Sequence, residues 1–134
     1  MTDSRTYSRV VVVEDEAIIA MLIEDMLTEL GHQVAATVGR TSRAHDLFTA
    51  DGVDFAILDV NLGGEQSFGL AAILRERGVP FIFATGYGNV GLPKEWQGTP
   101  TLQKPFQMRD LREAMRVAEE AGSAEGRSPT RTSQ

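Results

Sequence analysis

The sequence predicts an α/β fold, in which a doubly wound parallel sheet is covered by helices on both faces. Short apolar runs of strand length alternate along the chain with longer segments of helical periodicity. The clearest runs, residues 10–13 and 55–58, contain no polar alternation, which is typical of strands buried on both faces. Regular alternation of strands and helices favours a parallel sheet over separate helical and antiparallel layers.

Five apolar runs rich in β-favouring residues are predicted as strands: residues 10–13, 34–38, 55–58, 81–84 and 101–103. Four segments with apolar residues three and four positions apart are predicted as helices: 17–30, 40–50, 67–77 and 107–121. A further helix around residues 93–97 is expected to be short or mobile, because four glycines and a proline lie within 86–98. Right-handed crossovers then give a flavodoxin-like (βα)5 sheet with strand order 2-1-3-4-5.

The 134 residues have the length of one domain, which is expected over residues 9–121. Residues 1–8 are polar and residues 122–134 consist mainly of Gly, Ser, Thr, Arg and Pro, so both ends are predicted to be disordered. The net charge of −6 argues against a nucleic-acid binder. No apolar run approaches the roughly 18 residues of a membrane span, and no signal peptide is visible, so a cytoplasmic protein is expected.

Carboxylates follow two of the predicted strands at the point where each strand ends. Strands one and three are neighbours in the predicted order, so Glu14 and Asp15 should face Asp59 across the crevice at the carboxyl edge of the sheet. The alternative is that Asp15 caps a helix and Asp59 forms a turn. Three adjacent carboxylates repel one another, and a hard cation bound among them would offset that repulsion. Taken together, the three side chains therefore favour a Mg²⁺ site.

A hydroxyl and an ammonium group are predicted to reach the same edge. Thr85 follows strand four and Lys104 follows strand five; singly, they would be a turn hydroxyl and a solvated lysine. Beside a carboxylate–metal cluster they suit phosphoryl transfer, in which an aspartate can be the nucleophile and form an acyl phosphate. Because Lys104 precedes Pro105, a cis peptide bond is possible there.

Four short motifs, VVVEDE, LDVNL, FATG and QKPF, occur in order and in register with the predicted strands. Together they resemble the receiver domain of two-component response regulators over residues 9–121. The resemblance implies a Mg²⁺ site formed by Glu14, Asp15, Asp59 and the backbone carbonyl of Asn61. It also implies that the first helix is where the domain meets its kinase.

The resemblance further implies that Asp59 is the phosphoacceptor and that Thr85 and Lys104 bind the phosphoryl oxygens. The segment PFIFATGYG, residues 80–88, is similar to an alphaproteobacterial subgroup nicknamed FAT GUY, whose members are often served by histidine kinases of the HWE type. The expected partners are therefore a sensor histidine kinase or a histidine phosphotransferase, together with a downstream protein target. Nucleic acid and membrane are not expected as partners.

The expected function is that of a stand-alone response regulator, with no output domain after residue 121, which signals by altered protein binding or acts as a phosphate relay or sink. Such a domain is not an enzyme beyond its own phosphorylation and hydrolysis. One alternative is an inert receiver-like interaction module. A phosphatase of the haloacid dehalogenase type is less favoured, because it needs a second aspartate where this chain has Asn61.

Several side chains depart from the common receiver pattern. Glu14 replaces an aspartate, and Thr101 stands where many receivers carry the aromatic residue that moves with the threonine. Tyr87 either replaces that aromatic or only packs on its loop. Trp96 is predicted to be a half-buried loop anchor, and His32 to lie on the surface.

Overall fold

The computed structural model describes residues 6–86 and 92–127, and its centre is one parallel sheet of five strands. The strands are β1 Val10–Val13, β2 Val34–Val38, β3 Phe55–Asp59, β4 Phe81–Thr85 and β5 Thr101–Gln103. Their order in the sheet is β2-β1-β3-β4-β5, which confirms the predicted flavodoxin-like topology.

Helices cover both faces of the sheet: α1 Ala17–Glu29, α2 Thr41–Thr49, α3 Phe68–Arg77 and α4 Met108–Arg127. Helix α3 ends as predicted at Gly78, whose φ of 75° is readily adopted by glycine. A single 3₁₀ turn, Lys94–Trp96, stands where the short fifth helix was predicted. Residues 87–91 lie outside the described part of the chain. Tyr87 is among them, so the role predicted for Tyr87 remains a prediction.

The pleat of β1 divides its valines between two hydrophobic clusters. Val11 and Val13 pack in one cluster with residues of α2, α3 and the 3₁₀ turn. Val10 and Val12 pack in the other cluster with residues of α1 and α4. Because helices cover both faces, the strand has no polar side, which explains the unbroken run of valines.

The N-terminal segment is attached to the sheet, which corrects the prediction that residues 1–8 are disordered. Tyr7 is buried and its ring centroid lies 4.9 Å from that of Phe55. The backbone N–H of Ser8 donates to the Asp54 carboxylate at 3.3 Å. The prediction was wrong for Tyr7 and Ser8 because the polar composition of the segment concealed one aromatic anchor. Residues 1–5 lie outside the described residues.

His32 is buried rather than on the surface, so its predicted exposure was wrong. Its Nδ1 atom accepts a hydrogen bond from the backbone N–H of Tyr7 at 3.0 Å. Burial lowers the pKa of His32, while the negative charges of Asp54 and Glu119 act in the opposite direction. The neutral imidazole that results is the form able to accept this hydrogen bond.

Helix α4 continues to Arg127, whereas the sequence predicted a helix over 107–121 and a disordered tail over 122–134. Glycines at positions 122 and 126 disfavour a helix by about 1 kcal/mol each, but no proline lies between Pro105 and Pro129 to end the helix sooner. The backbone of residues 122–127 therefore corrects the prediction, and residues 128–134 lie outside the described part. Among the described residues, no helix is both long and apolar enough to cross a membrane.

Candidate functional site

The sheet register brings the predicted side chains together at the carboxyl edge. Val13 of β1 lies beside Leu58 of β3, so Glu14 follows directly next to Asp59. Carboxylate oxygens of Glu14, Asp15 and Asp59 all lie within 4.8 Å of one another. Neighbouring strand ends therefore produce the acidic cluster that the strand order predicted.

Lys104 extends from the end of β5 into this acidic cluster. Its Nζ atom lies 2.8 Å from Oε1 of Glu14 and 3.1 Å from Oδ2 of Asp59. The side chain of Lys104 is 15% exposed, and those of Glu14 and Asp59 are 1% and 9% exposed. One lysine thus neutralises part of the charge of two buried carboxylates.

Burial and mutual charge shift the acid–base equilibria of this group. Burial raises the pKa of Glu14; the ion pair with Lys104 opposes that effect and the charge of Asp59 adds to it. Burial alone would lower the pKa of Lys104, but its contacts with Glu14 and Asp59 outweigh burial and raise that pKa. Lys104 is consequently a permanent cation at neutral pH.

Thr85 is the last residue of β4 and lies beside the backbone of Lys104. Its side chain is largely buried, and its carbonyl accepts the N–H of Lys104 at 2.9 Å. The Lys104–Pro105 peptide bond is cis, the isomer that the sequence left open. The hydroxyl and the ammonium group predicted to act together therefore come from adjacent strand ends.

Asp15 does not cap a helix. The N-cap position of α1 is Glu16, which makes no side-chain capping hydrogen bond, so the capping alternative for Asp15 was wrong. Asp59 does form a turn with one of its carboxylate oxygens, as the alternative prediction had it, because Oδ1 accepts the N–H of Asn61 at 3.3 Å. The exposed carboxylate of Asp15 and the other oxygen of Asp59 remain directed toward the cluster.

A small antiparallel hairpin beside the cluster was missed by sequence reasoning. Asn61–Leu62 pairs with Glu65–Gln66 around a Gly63-Gly64 turn in which both glycines have positive φ, 57° and 94°. The side-chain oxygen of Asn61 accepts the N–H of Gly64 at 3.1 Å. A Gly-Gly pair between short strands is a known hairpin signal, and it was present in the sequence.

The donor set suits a hard divalent cation. Three carboxylates, those of Glu14, Asp15 and Asp59, could supply oxygen ligands. Asn61, on the adjoining hairpin, could supply its backbone carbonyl oxygen as a further ligand. Mg²⁺ takes oxygen ligands, few carboxylates and several waters, which fits a cluster that is buried on one side and exposed at Asp15.

A flavodoxin-like sheet whose carboxyl edge carries an acidic cluster and a lysine is the arrangement that the four sequence motifs predicted. The chain belongs to the response regulator receiver domain family, whose family model matches residues 10–116. The resemblance proposed from four short motifs is therefore confirmed. Domains of this family act in two-component systems and bind Mg²⁺ at an acidic pocket.

Similar solved structures include SdrG from Sphingomonas melonis Fr1, 38% identical, covering 84% of this chain and 97% of that one, with a TM-score of 0.78. A BeF3-activated conformation of SdrG from Pseudomonas melonis Fr1 is 40% identical, with coverages of 83% and 94% and a TM-score of 0.71. The PhyR receiver domain of Erythrobacter litoralis is 28% identical, with coverages of 86% and 92% and a TM-score of 0.72. These matches place the chain near the PhyR/SdrG subgroup.

Among curated relatives, the transcriptional regulatory protein PdtaR of Mycobacterium tuberculosis is 28% identical over 120 residues. The match covers 87% of this chain and 58% of PdtaR. The chain spans about half the length of the curated relatives it matches. The similarity to those proteins is therefore limited to about half of their length.

Proposed function

We propose that the chain accepts a phosphoryl group on Asp59 from a histidine kinase or histidine phosphotransferase, in a reaction that requires Mg²⁺. The observation that supports this most is the position of Asp59. It is buried at the carboxyl edge, 3.1 Å from the ammonium group of Lys104 and next to the Glu14 and Asp15 carboxylates. That arrangement combines a nucleophile with charge neutralisation on two sides.

In the proposed step, a carboxylate oxygen of Asp59 attacks phosphorus and forms a P–O bond. The P–N bond to the donor imidazole breaks, the imidazole keeps the electron pair and takes up a proton, and an acyl phosphate results. Lys104 is placed to exchange part of its pairing with Asp59 for contact with a phosphoryl oxygen. Thr85 would donate its hydroxyl to another oxygen, and Mg²⁺ when bound would supply further positive charge.

The proposed activity is tested by intact mass spectrometry after incubation with acetyl phosphate. We expect one phosphoryl adduct on the wild type with Mg²⁺, none with EDTA, and none on Asp59→Asn, because the amide is a poor nucleophile. Asp54→Asn, at a partly buried carboxylate just before β3 and so at the opposite end of that strand from Asp59, is the matched control and should be labelled normally. An adduct on Asp59→Asn, or none on any variant, would exclude Asp59 as the acceptor.

The two alternative functions make different demands on the same residues. An inert interaction module would carry no adduct in this experiment, whatever the donor. A haloacid dehalogenase-type phosphatase needs a proton-exchanging group at position 61, but the Asn61 side chain is an amide that accepts the Gly64 N–H. The family match and this contact both favour the phosphoacceptor.

Exposed apolar side chains on α1 support docking of the phosphodonor near the acceptor. Ile18, Met21 and Leu22 are 75%, 60% and 52% exposed, and Met21 and Leu22 both lie one helical turn after Ile18. Such a stripe suits the apolar face of a partner helix. We propose that a histidine kinase, of the HWE type given the FAT GUY motif, binds there, and that phosphorylation alters binding of a downstream protein or passes the phosphate onward.

Met21→Glu is expected to slow phosphotransfer from the histidine kinase that labels the wild type by about tenfold, because it places a charge in the centre of the stripe. Labelling by acetyl phosphate, which needs no protein contact, should not change. Both rates are measured by intact mass over time. Val117→Glu, at a 38% exposed position on α4, is the control; equal slowing of both variants would argue against α1.

A further inference from the structure

We propose that a hydrogen bond between Thr41 and Glu65 holds the hairpin where Asn61 can complete the cation site, which makes both residues positioning residues for the phosphoacceptor. The Thr41 hydroxyl donates to Oε1 of Glu65 at 2.6 Å, between the first turn of α2 and the second strand of the hairpin. This inference rests on the proposed function, because it concerns the Mg²⁺ that Asp59 chemistry requires.

The hairpin needs external support because it is very short. Each strand has two residues, and an isolated two-stranded hairpin is marginally stable in water. Leu62 anchors one strand in the core, where it is 4% exposed. Glu65 and Gln66 on the other strand are exposed, and the bond from Thr41 ties that strand to a helix.

The tie reaches the cation site through the ladder of the hairpin. Asn61 pairs with Gln66 and Leu62 pairs with Glu65, so a shift of the second strand moves the strand that carries the Asn61 carbonyl. The N–H of Asn61 also donates to Oδ1 of Asp59, which links the same strand to the phosphoacceptor. A displacement of Glu65 would therefore be transmitted to both a metal ligand and the nucleophile.

The loop before Thr41 lies close to the backbone of Asp15. A Cβ atom built on Gly39 would lie 3.3 Å from the Cα atom of Asp15, so the two loops pack closely. On the hairpin side, a Cβ on Gly63 would lie 3.6 Å from Oδ2 of Asp15. The bond between Thr41 and Glu65 thus connects two segments that both lie close to Asp15.

The test compares Mg²⁺ affinity, measured by calorimetry and by the amide shifts of Gly63 and Gly64, in the wild type and in Thr41→Val. The valine removes the hydroxyl and keeps the side-chain shape. We expect the Mg²⁺ dissociation constant to rise about three- to tenfold, because losing an exposed hydrogen bond of ordinary net strength changes a binding equilibrium by about that factor. Urea unfolding without Mg²⁺ should be nearly unchanged, because the bond lies at the surface.

Conservative variants separate positioning from charge. Thr41→Ser and Glu65→Gln keep a donor and an acceptor and should bind Mg²⁺ nearly as the wild type does, whereas Glu65→Ala should resemble Thr41→Val. Ser42→Ala, at the neighbouring exposed hydroxyl, is the control. Unchanged affinity in Thr41→Val, or a loss in Glu65→Gln equal to that in Glu65→Ala, would overturn the inference while the proposed function stands. Failure of the wild type to bind Mg²⁺ would overturn both.

Discussion

Lys104→Met is expected to lower the free energy of unfolding by about 3 kcal/mol at neutral pH without Mg²⁺. The substitution leaves the Glu14 and Asp59 carboxylates buried beside each other without the cation that lies 2.8 and 3.1 Å from them. Removing one partner of a buried ion pair costs more than the pair contributes, because the remaining charge stays desolvated. Urea unfolding followed by circular dichroism measures this loss.

Mg²⁺ should restore part of the stability lost in Lys104→Met, because a divalent cation at Glu14, Asp15 and Asp59 replaces the missing charge. The rate of labelling by acetyl phosphate should nevertheless stay about 100-fold below that of the wild type, since one group that stabilises the transferring phosphoryl is gone. Lys94→Met, at an exposed position of the 3₁₀ turn, is the control and should change neither quantity. Equal loss of stability with and without Mg²⁺ would mean that Lys104 acts by packing alone.

Trp96→Ala is expected to destabilise the protein by about 3–5 kcal/mol, the usual cost of truncating a buried tryptophan. Trp96 is 2% exposed rather than half-buried as predicted, and its ring centroid lies 6.5 Å from Phe68 and 6.0 Å from both Phe81 and Phe83. The Arg75 guanidinium covers the ring, with Cζ 3.9 Å from the ring centroid. Trp96 is the one tryptophan of the chain and holds the 3₁₀ turn against α3 and β4.

Denaturant unfolding followed by circular dichroism tests this prediction. Trp96→Phe should lose less stability than Trp96→Ala, because it keeps an aromatic ring in the cluster. Arg75→Gln, which removes only the exposed guanidinium, should cost less than about 1 kcal/mol. A loss below about 1 kcal/mol in Trp96→Ala would show that the 3₁₀ turn is held in place by other contacts.

Much of the fold could be predicted because its main signals are local. The apolar runs at 10–13 and 55–58 have one explanation in a chain of this length, a strand covered on both faces. The side chains that follow each strand are positioned by the topology, so the sequence alone predicts that Glu14, Asp59 and Lys104 lie together. Their proposed chemical roles remain predictions.

The features that sequence reasoning missed depend on contacts between distant segments. Burial of His32 is visible only once Tyr7 lies against it, 25 positions away in the chain. The bond between Thr41 and Glu65 joins α2 to the hairpin, two segments 24 positions apart in the chain. The hairpin at 61–66 had a local signal in its glycine pair, but strands of two residues are too short to show a period.

The burial of Tyr7 also indicates how the protein could be immobilised on a biosensor chip for binding measurements. Tyr7 lies near the amino ends of the strands, and Asp59 closes β3 at the opposite end. At about 3.3 Å per residue, a strand of this length separates the two ends by roughly 15 Å. A linker attached ahead of Tyr7 would therefore immobilise the domain with its acceptor edge facing the solution, where a kinase in the flow could reach it.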